Sequence, residues 1–400
     1  MTTTYDVIVV GSGPAGSCAA WCLAKAGVAV AVLEKAALPR YKTCGGGIVG
    51  RAMQALPVDV RQVVEQDCHT AQLNLSPAGL SFTTHRQTPI VSMTMRDQFD
   101  FVLLSAAQAA GAVVRQRCAV EDVSFHGDYL SVGTSAGLMK AKFLVAADGA
   151  LGTVARTMGL TDGRVLIPAL EYEVMVPPDR LNRFHGMARF DFGLLPHGYA
   201  WVFPKKDHLS IGVLSTAQRG GDLKSGMTRY LDQLGCGSVT QVERHGFVIP
   251  IQPRKGPFVD KRVLLVGDAA GFADPVTGEG ISFAIRSGLM AAYSLIDRHL
   301  EEESVKHAYA GSLAETILPE LDRGRWLARL LYDFPRVRSW AFSRQGQRLC
   351  EAVTDIISGK RTYRELAFTP RTLLKLLRYP WVTRSGHGPA QPRDGEGLSP

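Results

Sequence analysis

The chain has 400 residues, 46% of them hydrophobic and 20% charged, which excludes a disordered or fibrous polymer and allows two or three structural units with real cores. The formal net charge of +8 is unevenly held: residues 323–384 carry 14 Lys/Arg against 4 Asp/Glu, and the rest is close to neutral. No apolar run approaches the ~18 residues of a membrane span, and residues 1–6 lack the make-up of a signal peptide; the seven Cys, with no CxxC and no metal-ligand spacing, argue against disulfides or a metal and fit a cytoplasmic, reducing setting.

In chain order, residues 5–10 (Tyr5-Asp6-Val7-Ile8-Val9-Val10) form a short apolar, β-branched run of the kind buried in a parallel sheet. Gly11-Ser12-Gly13-Pro14-Ala15-Gly16 follows, then an Ala-rich helical stretch over 15–25 closed by Gly27, then a second strand over 28–33 ending at Glu34. This strand–turn–helix–strand–acid order reads as a dinucleotide-binding βαβ unit. Gly11, Gly13, Ala15 and Gly16 let the helix amino end approach a pyrophosphate, and Glu34 is placed to take ribose hydroxyls. Cys18 and Cys22, one helical turn apart, read as core packing.

Residues 71–95 and 166–246 break into short strand-like runs punctuated by Gly and Pro, such as 198–204 and 209–213, and suggest an antiparallel sheet. Between them, residues 97–110 have helical periodicity, residues 143–147 form another buried strand, and residues 263–268 return to the first pattern. The expected architecture is α/β with an α+β insertion. Segments 1–70, 96–165 and 247–300 make a split Rossmann-like domain, 71–95 and 166–246 an antiparallel-sheet substrate domain, 301–384 a set of C-terminal helices, and 385–400 a disordered tail. No internal repeat is visible.

Three separated segments point to FAD rather than NAD: the βαβ fingerprint; Leu144-Val145-Ala146-Ala147-Asp148-Gly149-Ala150 with Arg156 after it; and the stretch from Gly267 to Ile281. In the third, Asp268 at a strand end suits a ribityl chain, while Gly280 and Ile281 open a helix whose amino end can face a flavin. Reduced flavin is anionic at its pyrimidine edge, and a helix amino terminus favours such charge by about 0.3–2 kcal/mol.

With Pro39-Arg40-Tyr41-Lys42-Thr43-Cys44-Gly45-Gly46-Gly47, Met95-Arg96-Asp97, Phe99-Asp100 and Gly198-Tyr199-Ala200-Trp201-Val202-Phe203-Pro204 added, the chain resembles the flavoprotein group that includes p-hydroxybenzoate hydroxylase. Within that group it is similar to the geranylgeranyl reductase family over about its first 300 residues. The resemblance implies FAD contacts at Ala15, Glu34, Cys44, Gly45, Gly47, Arg96, Val120, Asp268, Gly280 and Ile281. Arg40 and Arg96 read as pyrophosphate partners or as members of surface ion pairs, and the glycines after Cys44 as room for a flat ring.

The implied activity is hydride delivery from reduced flavin to isolated carbon–carbon double bonds of a polyprenyl chain. Cys44 is the catalytic candidate, as proton donor or redox participant; the alternative is a small residue that fits beneath the ring. Tyr172, Phe190, Tyr199 and Trp201, with Phe192 and Phe203, are the substrate-binding candidates, and Gly193 and Gly198 leave room beside them. No second phosphate-binding glycine fingerprint is present, so the reductant is either NADPH bound without a dedicated fold or a ferredoxin-like carrier.

The basic late segment interleaves charge with Trp326, Leu330, Leu331, Phe334, Trp340 and the run Leu373, Leu374, Leu376, Leu377, Tyr379, Trp381. It reads as a solvated helical face, or as a peripheral dock on the anionic inner face of a membrane where a prenyl lipid resides; no nucleic-acid motif accompanies it. The sequence carries no signal for oligomeric state. Two other functions fit the nucleotide motifs: a flavin monooxygenase acting on a hydrophobic substrate, and a non-catalytic carrier of FAD and prenyl lipid. A halogenase is disfavoured by the single Trp of the 198–204 stretch.

Overall fold

A parallel sheet organises the nucleotide half, because its strands are apolar on both faces and must be covered on both. In the computed structural model, which describes residues 4–217, 222–237, 239 and 241–366, the first strand is Thr4–Val10. It pairs in parallel with Gly137–Ala146 on one side and Val30–Leu33 on the other. Val113–Arg115 and Val263–Leu265 extend this parallel run at its two ends. Ile8, Val9, Val32, Leu144, Val145 and Leu264 are fully withdrawn from solvent. The helices Pro14–Lys25 and Ile281–Asp297 pack on each other, with Arg96–Ala109 beside the first. Cys18 and Cys22 are buried free thiols in this packing.

The second sheet has seven strands: in order Val242–Gln252, Val165–Met175, His208–Ser215, Gly198–Pro204, Met187–Phe192, Thr70–Leu75 and Leu80–His85. All neighbours are antiparallel except Met187–Phe192 with Thr70–Leu75, which run parallel. That exception follows from connectivity, since these two strands belong to segments 117 residues apart in sequence (Asn74 to Asp191) and share no hairpin. Residues 71–95 are divided: Val91–Met93 leaves the large sheet and joins Gly47–Val49 and Gln66–Cys68 in a three-stranded sheet.

Strand alternation gives the large sheet two faces. Ala200, Val202, Leu209, Ile211 and Val213 pack against Met227 and Tyr230 of the helix Leu223–Gln233. Tyr199, Trp201 and Phe203 point the other way, toward the nucleotide half. Trp201 lies over Gly212, its partner across the ladder; a Cβ there would sit 1.8 Å from the indole ring, so only glycine accepts the tryptophan. Three further helices, Glu302–Glu315, Ile317–Tyr332 and Pro335–Ile357, follow the nucleotide half. The unit ends at Arg364. Tyr363 anchors its end by a buried hydroxyl that donates to Asp274 Oδ1 at 2.9 Å. The segment 367–400, with the Leu373–Trp381 run and the tail, lies outside the described residues.

Candidate functional site

A single cavity of about 740 Å³ runs from the nucleotide turn to the large sheet. Its first end is built by the βαβ unit. Gly11 takes φ +99°, and a Cβ there would lie 2.4 Å from Ala147 O, so the turn closes only with glycine. The helix Pro14–Lys25 starts at Gly13 with no side-chain cap, leaving its first N–H groups toward the cavity that Gly11, Gly13, Pro14 and Ala15 line. Gly16 does not line it: its Cβ position is 2.0 Å from Gly11 O, so this glycine serves the close packing of helix on strand. Arg156, on the short helix Val154–Thr157, is exposed and likewise away from the cavity.

Glu34 stands at the end of its strand on the cavity wall, with Cys118, Ala119 and Val120 nearby. Its Oε2 accepts from Ser12 Oγ at 2.6 Å and its Oε1 from Ala36 N at 3.0 Å. Burial raises the Glu34 carboxyl, but these donors and the Arg40 guanidinium outweigh it and hold the group below the usual carboxylate range. Arg40 lies 3.3 Å from both Glu34 and Asp100, and Arg96 forms a two-pronged pair with Asp100 at 2.9 Å. Both arginines line the cavity, and Asp100, 1% exposed, ties them together, so neither sits in a surface ion pair.

Asp268, Gly280 and Ile281 form the next section of wall. The helix Ile281–Asp297 opens at Gly280 beside the cavity, where the Glu279 carboxylate accepts from Ser282 N at 2.6 Å. Burial raises the Asp268 carboxyl, opposed by the charges of Lys42, Arg96 and Arg164. Asp148 Oδ1 is buried with no hydrogen-bond partner while its Oδ2 accepts from Val154 N at 2.9 Å. An uncapped helix end, a buried carboxylate oxygen lacking a donor and a glycine cradle suit a long polar ligand with one anionic section and several hydroxyls, which is the make-up of FAD.

Cys44, Gly45 and Gly47 lie between the two halves. A Cβ on either glycine would press on neighbouring side chains. A Cβ on Gly45 would lie 2.9 Å from Phe203 and from Trp201 Nε1, and one on Gly47 would lie 2.9 Å from Val91. Lys205, 1% exposed, clamps this loop by donating from Nζ to Gly45 O at 2.9 Å and Thr94 O at 2.8 Å. Arg96 also reaches the Cys44 thiol. Cys44 N donates to Glu171 Oε2 at 3.0 Å, which brings a carboxyl of the large sheet to the cavity wall.

The far end is aromatic and aliphatic: Phe190, Phe192, Tyr199, Trp201 and Phe203 from the sheet, with Leu331, Phe342, Leu349, Val353 and Ile357 from the last two helices. Tyr172 is not among them. It neighbours Glu171 on an alternating strand and therefore faces the opposite side, where it packs with the second-sheet core and lies under Arg244. Gly193 and Gly198 also lie off the cavity; Gly193 turns the chain at φ +84°, and Gly198 abuts Leu214 O.

Ser12, Asp100, Asp148, Glu171 and Lys205 thus belong to the site alongside the residues the motifs pointed to. The Asp148-Gly149 pair sits inside a quoted motif, and Lys205 directly follows the 198–204 stretch; Glu171 has no local signature. Among the described residues no cluster of His, Cys, Asp or Glu is arranged to hold a metal ion.

Residues 4–184 match the family described as FAD binding domain. Geranylgeranyl diphosphate reductase, chloroplastic, of Oryza sativa subsp. japonica is 33% identical over 350 residues, covering 80% of this chain and 72% of the rice protein. Digeranylgeranylglycerophospholipid reductase 1 of Methanopyrus kandleri is 31% identical, covering 75% and 82%. The crystal structure of a geranylgeranyl bacteriochlorophyll reductase-like protein from Thermoplasma acidophilum superposes with a TM-score of 0.72 at 25% identity over 94% of this chain and 96% of that one.

Proposed function

The chain belongs to the geranylgeranyl reductase family of FAD-dependent oxidoreductases, and from that membership and the shape of its cavity we propose that it saturates isolated carbon–carbon double bonds of a polyprenyl substrate. The observation that carries the reading is continuity: one cavity joins the nucleotide turn, the Cys44 loop and an elongated apolar end. Bound FAD, once reduced, supplies the hydride. The rest is the protein's work.

In this reading Gly11, Gly13 and Ala15 present the uncapped helix end to the pyrophosphate, with Arg40 and Arg96 adding charge held in place by Asp100. Glu34 takes the ribose, Val120 borders the adenine, and Asp268 takes the ribityl chain. Gly280 and Ile281 turn the second helix end toward the ring, where it favours negative charge. Cys44, Gly45 and Gly47 border the ring on the substrate side.

An isolated alkene has no carbonyl to polarise, so alignment must carry much of the barrier reduction. Phe190, Tyr199, Trp201 and Phe203 form one wall for the chain, and Phe342, Val353 and Ile357 the other. Burying about ten carbons there contributes roughly 8 kcal/mol before ordering costs, at about 0.8 kcal/mol per CH2. The same apolar walls keep water from the reacting carbons.

Anaerobic turnover with dithionite and geranylgeranyl diphosphate is the test. Saturated product without oxygen supports the reading; product that forms only with oxygen and carries an added oxygen atom makes the enzyme a monooxygenase instead.

A further inference from the structure

The cavity wall beside Cys44 carries a carboxyl that cofactor binding does not use. Glu171 Oε2 accepts from Cys44 N at 3.0 Å and Tyr41 Oη at 3.1 Å, and Oε1 accepts from Ser210 Oγ at 3.0 Å. Two positions along the same strand, and so on the same face, the Glu173 carboxyl acts on it as a neighbouring charge. Two neighbouring buried carboxyls favour holding one proton between them. Glu173 Oε2 lies 3.2 Å from His208 Nε2, and His208 Nδ1 lies 2.6 Å from Asp207, whose side chain is 68% exposed. The four side chains therefore follow one another from solvent to the Cys44 end of the cavity, the Glu173–His208 step being an ion-pair approach in which neither Glu173 Oε2 nor His208 Nε2 holds a hydrogen bond.

We propose that Asp207, His208, Glu173 and Glu171 are the proton path of the reductase, with Glu171 as the group that delivers the proton to the cavity. The proposal rests on the alkene-reductase reading. Saturating one double bond takes a hydride on one carbon and a proton on the other. Reduced FAD supplies the hydride; the proton leaves the Glu171 carboxyl, its O–H bond breaking as the second C–H bond forms. Glu173 and His208 then reload Glu171 from water. The apolar walls that align the alkene also bar bulk water, so a built path answers a need the rest of the cavity creates.

The surroundings keep the proton where the path needs it. Burial and the neighbouring Glu173 raise Glu171 to about 8, against the donors Ser210 and the charge of Lys205. Burial raises Glu173 as well, but His208 and Lys205 outweigh it and hold Glu173 low. Burial lowers His208, and its contacts with Glu173 and Asp207 outweigh that and raise it. From the other flanking strand His245 sits opposite Glu171 in the ladder, stacked on Tyr41 at 4.1 Å, with Glu243 3.7 Å from its Nε2. Tyr41, Cys44 and Lys205 complete the facing groups.

Infrared titration of the oxidised FAD-loaded enzyme reads the path without turnover. A protonated carboxyl band above ~1700 cm⁻¹ should persist at pH 7, fade through pH 8 and be missing in Glu171→Gln. In anaerobic single turnovers with geranylgeranyl diphosphate, Glu171→Gln should slow reduction at least tenfold and lose the high-pH limb. His208→Asn, at the outer end and least apt to disturb folding, should slow repeated turnover several-fold more than the first, and Glu171→Asp should recover part of the rate. FAD content and melting temperature monitor folding. An unaltered band in Glu171→Gln, or an unaltered rate and pH profile in Glu171→Gln and His208→Asn, overturns the path. A wild-type enzyme that shows the band yet reduces no prenyl alkene overturns the function on which the path rests, and the two failures are thereby told apart.

Discussion

Lys205 and Glu171 show how single buried charges shape this site. Among the described residues the Lys205 ammonium has no carboxylate within ion-pair distance and satisfies two backbone carbonyls instead, fixing the Cys44 loop against Thr94, just past the strand Val91–Met93. Glu171 has the opposite problem, a carboxyl buried beside another carboxyl. Because its folded value lies near 8 and its unfolded value near the ordinary 4.5, the native state holds more protons than the unfolded chain between those limits. Its contribution to stability is therefore fully present below about pH 4.5 and is lost as pH rises through 8. Thermal melts from pH 5 to pH 9 should fall more steeply for the wild type than for Glu171→Gln; parallel curves would mean that Glu171 ionises normally. Neither residue is legible in sequence. Glu171 meets Cys44 across 127 positions and Lys205 meets Gly45 across 160, and no local pattern encodes such a meeting. Glu34 and Asp268 are legible because each is placed by its own strand end, Glu34 at the close of the βαβ unit that the glycine turn opens and Asp268 directly after Gly267.

Elements divide in the same way. The nucleotide strands are short, apolar and flanked by glycine, so their period and length read directly; the strand expected over 28–33 begins at Val30 because Gly27 and Val28 complete the helix end. Tyr172 is misplaced by the same reasoning applied without a register, since in an alternating strand the neighbour of a cavity residue faces away. The helix Pro335–Ile357 carries no motif at all, yet Phe342, Leu349, Val353 and Ile357 close the apolar end of the cavity. On the proposed reading this helix would set the length of chain accepted. Val353→Trp should raise KM for a twenty-carbon prenyl substrate about tenfold or more while leaving a ten-carbon one nearly unaffected, as expected if several CH2 groups lose burial at about 0.8 kcal/mol each. Equal loss for both lengths, measured by steady-state kinetics, would place the chain elsewhere.

Across the described residues, a nucleotide half, a large sheet and the last helices surround one cavity. No described helix is long and apolar enough to cross a membrane. Trp326 is 69% exposed and Phe334 52%, on or beside a helix that also bears Arg323, Arg325 and Arg329. A dock on an anionic bilayer, the reading the late segment raised in sequence, would have to use these side chains. Trp326→Ala with Phe334→Ala should reduce partitioning onto phosphatidylglycerol vesicles several-fold without loss of FAD, and equal partitioning would leave these side chains as plain surface. Deleting the late helices would not ask the same question, because they wall the cavity and Tyr363 anchors Asp274. The measurement that bears most directly on the account is an anaerobic single turnover: fully reduced holoenzyme mixed with one equivalent of geranylgeranyl diphosphate, with flavin absorbance and product mass followed together. The prediction is that the oxidised spectrum returns at the rate at which a product two hydrogens heavier appears, one for one. A flavin that stays reduced in the presence of the prenyl chain, and reoxidises only when air is admitted, would contradict it.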